Sequence, residues 1–147
     1  MFFENTTDIP KIAAHTSCTI FVLPPNMQPK FPHALILEPD TSKKTTTITV
    51  EQVREFSAHA QNRETSDRFF IVRPADAMNE AAQNAFLKTI EESHDFCHFV
   101  LITDSPSSLL ATIHSRAQTF QPKITNHLST PPKAKLKILN LAKQLIS

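Results

Sequence analysis

Histidine and cysteine are the residue types of this chain best suited to metal or nucleophilic chemistry. His94, Cys97 and His98 lie close together in the sequence, and imidazole and thiolate groups are common zinc ligands. The segment runs from the end of a predicted helix into a predicted strand, where Cys97 and His98 point to opposite faces. We therefore expect no metal site here, and no third group is available to orient a Cys–His nucleophile. Cys18 precedes an apolar run and is expected to be a small buried hydrophobic residue.

Glycine is absent from all 147 residues, whereas proline occurs 11 times. Phosphate-binding loops of the GxxxxGK[ST] and GxGxxG kinds need glycine, because the backbone must turn tightly and present its N–H groups to phosphate. We therefore expect that the chain cannot hold a nucleotide in the usual way. Positions that require a positive φ should fall to Asn or Asp, and proline should mark the turns.

The composition is that of a single globular domain, with 40% hydrophobic residues and a formal net charge of +1. Without a broad basic field, direct binding to DNA is not expected. The two cysteines lie far apart and nothing marks secretion, so they are interpreted as reduced thiols. No targeting segment or membrane span is recognised, and the expected location is the cytoplasm.

Short apolar runs predict a set of strands separated by helices. The first is β-branched and aromatic and stops at Pro24-Pro25, and a later run, FFIV, is apolar without alternation, as in a strand covered on both faces. The predicted strands are residues 19–23, 34–37, 69–72, 98–103 and 117–121. This order predicts an α/β fold, a three-layer parallel sheet of about five strands with helices on both faces.

Capping residues mark where the intervening helices begin. Thr49 is the expected N-cap of one helix with Gln52 as its capping-box partner, and Asn79 is the expected N-cap of the next. Ser105 is expected to cap a third, short helix with Pro106 in its first position. The residues expected on buried faces are Val53, Phe56, Ala60, Ala82, Phe86, Ile90, Leu109, Leu110 and Ile113. Those expected off the buried face are Gln83, Asn84, Lys88 and Glu91.

Three segments together resemble the bacterial clamp-loader subunits of DNA polymerase III, the gamma/tau and delta-prime subunits of the AAA+ ATPase group. They are residues 75–92, which contain the specific run AQNAFLKTIEE, the strand ending in Thr103, and LLATIHSR at residues 109–116. The resemblance covers roughly residues 34–121. It implies a degenerate AAA+ or RecA-like core at residues 1–121.

The C-terminal part has a different character. Residues 122–132 are polar, end in two prolines and are interpreted as a linker. Residues 133–147 predict a broad apolar helix with basic edges. The resemblance implies a remnant of the lid domain, and a simple C-terminal docking helix is the alternative.

The chain departs from the family pattern where ATP would bind. Residues 24–32 stand in place of the phosphate loop, its helix and the zinc insertion, so both modules look deleted. Arg73 and Pro74 stand where the family has magnesium-binding acids, which leaves Asp76 as a degenerate acidic motif interpreted as a cap or turn residue. Thr103 occupies the former sensor position and is expected to act as a strand-end hydroxyl. No catalysis in cis, cofactor or metal is therefore expected.

Ser115 and Arg116 match the Ser-Arg of the family's Ser-Arg-Cys signature, with Ala117 in place of the cysteine. The resemblance implies that Arg116 acts in trans as an arginine finger on the γ-phosphate of ATP in a neighbouring subunit. A guanidinium suits that role because it is always charged and its planar fork matches phosphate oxygens. The alternative is that Arg116 caps a helix C-terminus and pairs with a surface acid.

The resemblance implies a non-catalytic, delta-prime-like clamp-loader subunit in DNA replication. Its expected partners are a gamma/tau-like ATPase and a delta-like subunit, with DNA and the sliding clamp reached only through the complex and no membrane involved. The alternative is a protein-interaction adaptor that keeps the AAA+ fold without a clamp-loader role. An enzyme with a new site finds no convergent acid, base and nucleophile in the sequence.

Overall fold

The structure is a computed structural model that describes residues 2–3, 6–62 and 65–122. Its centre is a parallel sheet with the strand order β1-β6-β2-β5-β4-β3. The strands are β1 Phe2–Phe3, β2 Cys18–Val22, β3 Ala34–Leu37, β4 Arg68–Val72, β5 Cys97–Thr103 and β6 Gln118–Pro122. The five longer strands are those predicted, and the two-residue β1 adds a sixth beside β6. Pro122, the first residue of the predicted linker 122–132, is instead the last residue of β6. The rest of that linker and the predicted C-terminal helix lie outside the described residues.

Helices cover both faces of the sheet, as predicted. Helix α1 (Ile9–Ala13) lies on one face, where Ile9 is buried with Phe21 and Phe69. Helices α2 (Val50–Ala60), α3 (Glu80–Glu91) and α4 (Ala111–His114) lie on the other face, where Phe86 is buried with Phe99. Strand β5 is buried along its whole length because it lies between β2 and β4 with helices above and below.

Local capping determines where α2 and α3 begin. The Thr49 hydroxyl accepts the Gln52 N–H at 3.3 Å, and the Gln52 side chain accepts the Thr49 N–H at 3.0 Å, which confirms the capping box. Asn79 accepts the Ala82 N–H at 2.8 Å, as predicted. The prediction for Ser105 is wrong. Its side chain makes no capping bond to the 3-10 turn Pro106–Ser108, and its own N–H instead donates to the Thr103 hydroxyl at 2.9 Å.

Positive φ angles occur at His33 (49°) and Lys44 (53°) in the described part of the chain, so the expectation that Asn or Asp would take such positions is wrong. Lys44 ends the 3-10 turn Thr41–Lys43, and its N–H donates to the Thr41 carbonyl. Asp40 instead caps the start of that turn, where its carboxylate accepts the Ser42 N–H at 3.0 Å. A left-handed residue other than glycine costs about 1–2 kcal/mol, which local hydrogen bonds offset.

The connection from β2 to β3 contains no helix, although every one of its residues, 23–33, is described. It packs on the face that carries α1, with Met27 and Phe31 against the buried cluster. The Phe31 and Phe69 rings lie 5.2 Å apart between centroids. This connection therefore covers sheet surface that would otherwise be open to water.

Candidate functional site

Polar residues gather where β4 and β5 end, at the carboxyl edge of the sheet. The Thr103 hydroxyl, 2% exposed, donates to Asp76 Oδ1 at 2.5 Å and accepts the Ser105 N–H. Asp76 lies in the 3-10 turn Ala75–Ala77. The strand-end role expected for Thr103 and the turn position expected for Asp76 are therefore both observed, and the structure joins the two residues in one contact.

A cavity of about 380 Å³ opens beside this pair. Its charged residues are Glu38, Asp76, Asp104 and Arg73. Arg73 Nε lies 3.7 Å from Glu38 Oε2, too far for a hydrogen bond, and this buried nitrogen has no hydrogen-bond partner among the described residues. Three carboxylates against one guanidinium make the lining acidic, which opposes the binding of a phosphate group. No set of three or more metal-ligating side chains is found in residues 2–3, 6–62 and 65–122.

Ser115 and Arg116 follow α4 on the surface. Arg116 Nη2 lies 2.5 Å from Glu91 Oε2, and Nη1 donates to the Thr112 carbonyl at 3.4 Å. The alternative interpretation of Arg116 predicts a contact with a helix end and a contact with a surface acid. Both contacts are present within this chain. The Arg116 side chain is nevertheless 41% exposed, so a partner can reach it. The Ser115 hydroxyl donates to the Thr112 carbonyl at 2.8 Å, which fixes the turn before Arg116.

His98 and Cys97 lie on opposite faces of β5, as predicted. One ring nitrogen of His98 is 2.7 Å from Asp67 Oδ1 and the other is 2.8 Å from the Thr16 carbonyl. Cys97 Sγ instead faces the α2 side, 3.7 Å from the Ala60 carbonyl. The two residues therefore anchor neighbouring segments rather than converge on one site.

Cys18 is buried in the sheet, as expected for a small hydrophobic residue. Burial raises the pKa of its thiol from 9.0 to about 12, because the thiolate is disfavoured away from water. Its thiol is therefore unsuited to nucleophilic chemistry.

Gln83 is the polar residue that sequence reasoning misplaced. It was expected off the buried face of α3, yet it is only 4% exposed. Its amide nitrogen donates to the carbonyls of Met78 (3.1 Å) and Ser108 (3.2 Å), and its amide oxygen accepts the Leu110 N–H at 2.7 Å. All three partners are backbone groups outside α3, and no pattern of residue types marks them. The contacts tie α3 to the start of α4 and thereby help to position the Ser115–Arg116 segment.

The α/β fold of this chain is similar to that of a solved DNA polymerase III gamma subunit-related protein from Thermotoga maritima. That structure superposes with a TM-score of 0.63 and 18% sequence identity, and the match covers 95% of this chain and 54% of the other. At this identity the likeness establishes the fold. The sequence establishes the family: residues 10–125 match the model for the DNA polymerase III delta subunit, and the chain belongs to that family.

Curated relatives agree with this assignment. The chain is 41% identical over 83 residues to the DNA polymerase III subunit delta' of Haemophilus influenzae, a match that covers 54% of this chain and 25% of the relative. It is 39% identical over 87 residues to the delta' subunit of Pseudomonas aeruginosa, covering 58% of this chain and 26% of the relative. The chain thus spans about a quarter of the length of these relatives. In the described ranges, no helix has the length and apolar character needed to cross a membrane.

Proposed function

We propose that this chain is a non-catalytic, delta-prime-like subunit of a DNA polymerase III clamp loader and presents Arg116 to ATP bound by a neighbouring subunit. Family membership over residues 10–125 is the observation that carries the proposal. The match includes both the AQNAFLKTIEE run and the Ser115–Arg116 pair. The partners proposed are a gamma/tau-like ATPase and a delta-like subunit, in the cytoplasm, and DNA is reached only through them.

The carboxyl edge of the sheet supports the non-catalytic part of the proposal. Arg73 carries a positive charge at the end of β4, where magnesium would need acidic ligands, and Asp76 is already engaged by Thr103. The chain also has no glycine with which to build a phosphate loop. Hydrolysis above background by the purified chain, lost on Asp76→Asn, would contradict this part of the proposal.

The surface position of Arg116 supports a role in trans. The side chain follows a short helix, is 41% exposed and is held by contacts that water and phosphate oxygens can replace. A guanidinium that reaches the γ-phosphate stabilises the charge that develops in the transition state.

Arg116→Ala tests the proposal directly. The tagged chain is purified with the subunits that bind it, and the ATPase rate of the complex is measured with wild-type and variant chains. We expect the variant to assemble normally. At the ATP site that Arg116 contacts, it should lower the hydrolysis rate by about 10³-fold, the lower range for arginine fingers. Arg54→Ala is the matched control, because Arg54 is an exposed arginine on α2, away from α4. It should leave the rate unchanged.

The same experiment distinguishes the proposed function from the adaptor alternative. The contacts of Arg116 with Glu91 and Thr112 of its own chain favour that alternative. An adaptor that keeps only the fold would bind proteins other than clamp-loader subunits, and Arg116→Ala would not change any ATPase rate. Recovery of clamp-loader subunits with a rate independent of Arg116 would retain the assembly role and reject the arginine finger.

A further inference from the structure

Arg116 is already bound within its own chain. Its Nη2 lies 2.5 Å from Glu91 Oε2 and its Nη1 faces the Thr112 carbonyl at 3.4 Å. These two terminal nitrogens form one edge of the guanidinium, and bidentate binding of phosphate uses such an edge. A phosphate that approaches this edge must therefore displace Glu91.

The position of Glu91 relative to Arg116 is set by buried structure. Glu91 is the last residue of α3, and the preceding Ile90 is buried in the same core as Ile113 of α4. Gln83 joins the two helices through the Leu110 N–H at 2.7 Å. The carboxylate and the guanidinium are therefore brought together by two packed helices rather than by a chance meeting of long side chains.

The ion pair between Arg116 and Glu91 is exposed to solvent and can therefore open and re-form. The side chains of Arg116 and Glu91 are 41% and 44% exposed, and ion pairs at this exposure are weak because water competes for both charges. The phosphate groups of ATP carry more negative charge than one carboxylate, so the guanidinium can exchange one partner for the other.

We propose that Glu91 is a positioning residue that holds Arg116 in the unassembled chain and releases it when a neighbour's phosphate arrives. This inference rests on the proposed function, because it concerns the availability of the same arginine. Glu91 contributes nothing to the engaged state, since Arg116 no longer contacts it there. Glu91 therefore raises the chain concentration needed for half-maximal stimulation of the partner's ATPase. It does not change the maximal ATPase rate.

Glu91→Gln tests this proposal, with Glu92→Gln as the matched control. Glu92 is the neighbouring exposed carboxylate, and its side chain has no hydrogen bond or ion pair to any residue in the described ranges. In the ATPase assay of the complex, Glu91→Gln should lower the chain concentration for half-maximal stimulation by about two- to fivefold, the range for an exposed ion pair. The maximal rate should stay the same, and Glu92→Gln should change neither quantity. A lower maximal rate with Glu91→Gln, or an unchanged half-maximal concentration, would overturn the proposal.

A second measurement, on the chain alone, is independent of any partner. In nitrogen-15 NMR spectra, the Arg116 guanidinium should show restricted rotation in wild-type protein and in Glu92→Gln, and free rotation in Glu91→Gln. Identical spectra for wild type and Glu91→Gln would refute the contact itself. If the spectra differ but Arg116→Ala does not alter the partner's ATPase, the proposed function fails while the contact between Glu91 and Arg116 stands.

Discussion

At the scale of single residues, Thr103 and Asp76 are hydrogen-bonded to each other. Thr103 ends β5 and Asp76 lies in the 3-10 turn Ala75–Ala77, and their contact at 2.5 Å joins these two segments. Sequence reasoning assigned each residue a local role, which the structure bears out. It did not predict the contact between them, because the geometry of two strand ends is set by the whole sheet.

Cys18 gives a prediction about chemical reactivity. Because burial raises the pKa of its thiol to about 12, almost no thiolate exists in the folded protein near pH 8. We expect iodoacetamide to leave Cys18 unmodified in native protein at pH 8 and to modify it in urea. Mass spectrometry of tryptic peptides measures both. Rapid labelling of Cys18 in native protein would contradict the burial.

The same thiol makes stability depend on alkaline pH. Below pH 9 the thiol is protonated in both folded and unfolded chains, so it contributes no pH dependence. Between pH 9 and about 12 the unfolded chain loses the proton first, and the free energy of unfolding falls by about 1.4 kcal/mol per pH unit. The contribution of Cys18 is obtained by comparing urea denaturation of wild type and Cys18→Ala across this range.

At the scale of elements, the starts of α2 and α3 were predictable, whereas the cap of the third helix and the burial of Gln83 were not. The capping residues Thr49 and Asn79 act on backbone groups within three residues, so local sequence contains the whole signal. Gln83 instead bonds to loops before and after α3, and its burial depends on where those loops lie. A helical periodicity drawn from apolar residues alone therefore left it on the solvent side.

Gln83→Leu should destabilise the protein. Leucine keeps a similar size but removes one buried hydrogen bond, to the Met78 carbonyl, and two partly buried ones, to Ser108 and Leu110. A lost hydrogen bond costs about 1 kcal/mol, and a buried group left unsatisfied costs about 1–3 kcal/mol. We expect a loss of about 3 kcal/mol in the free energy of unfolding, measured by urea denaturation. Asn84→Leu is the control, because the Asn84 amide donates to the Glu80 carbonyl on the exposed face of α3. An equal effect of the two substitutions would contradict the role given to Gln83.

At the scale of the whole molecule, the α/β architecture followed from the order of apolar runs. Apolar runs that alternate with helices are typical of a parallel sheet that is covered on both faces. Two elements were missed. Strand β1 has two residues and α1 has five, lengths too short for a periodic pattern to develop. They are fixed by tertiary contacts, β1 by pairing with β6 and α1 by Ile9 and Ala13 in the core.

The connection between β2 and β3 should contribute to global stability although it has no helix. Phe31 packs against the buried Phe69 ring, so Phe31→Ala should lower the free energy of unfolding by about 2 kcal/mol, less than a fully buried phenylalanine would. Phe96→Ala is the control, because Phe96 is 42% exposed, and it should cost less than about 1 kcal/mol. If Phe31→Ala and Phe96→Ala lowered the free energy of unfolding equally in thermal or urea denaturation, the connection would not cover the sheet.

The strand order also has a consequence for how the chain is made. Strand β2 lies between β5 and β6, with Cys18 aligned with Phe99 and Ile20 with Thr119. On the ribosome, β2 must therefore wait for β5 and β6 to emerge before it acquires either neighbour. Such distant pairing slows folding and leaves an apolar strand exposed while synthesis continues. We therefore expect chaperones to bind the nascent chain until the segment carrying β6 has left the exit tunnel.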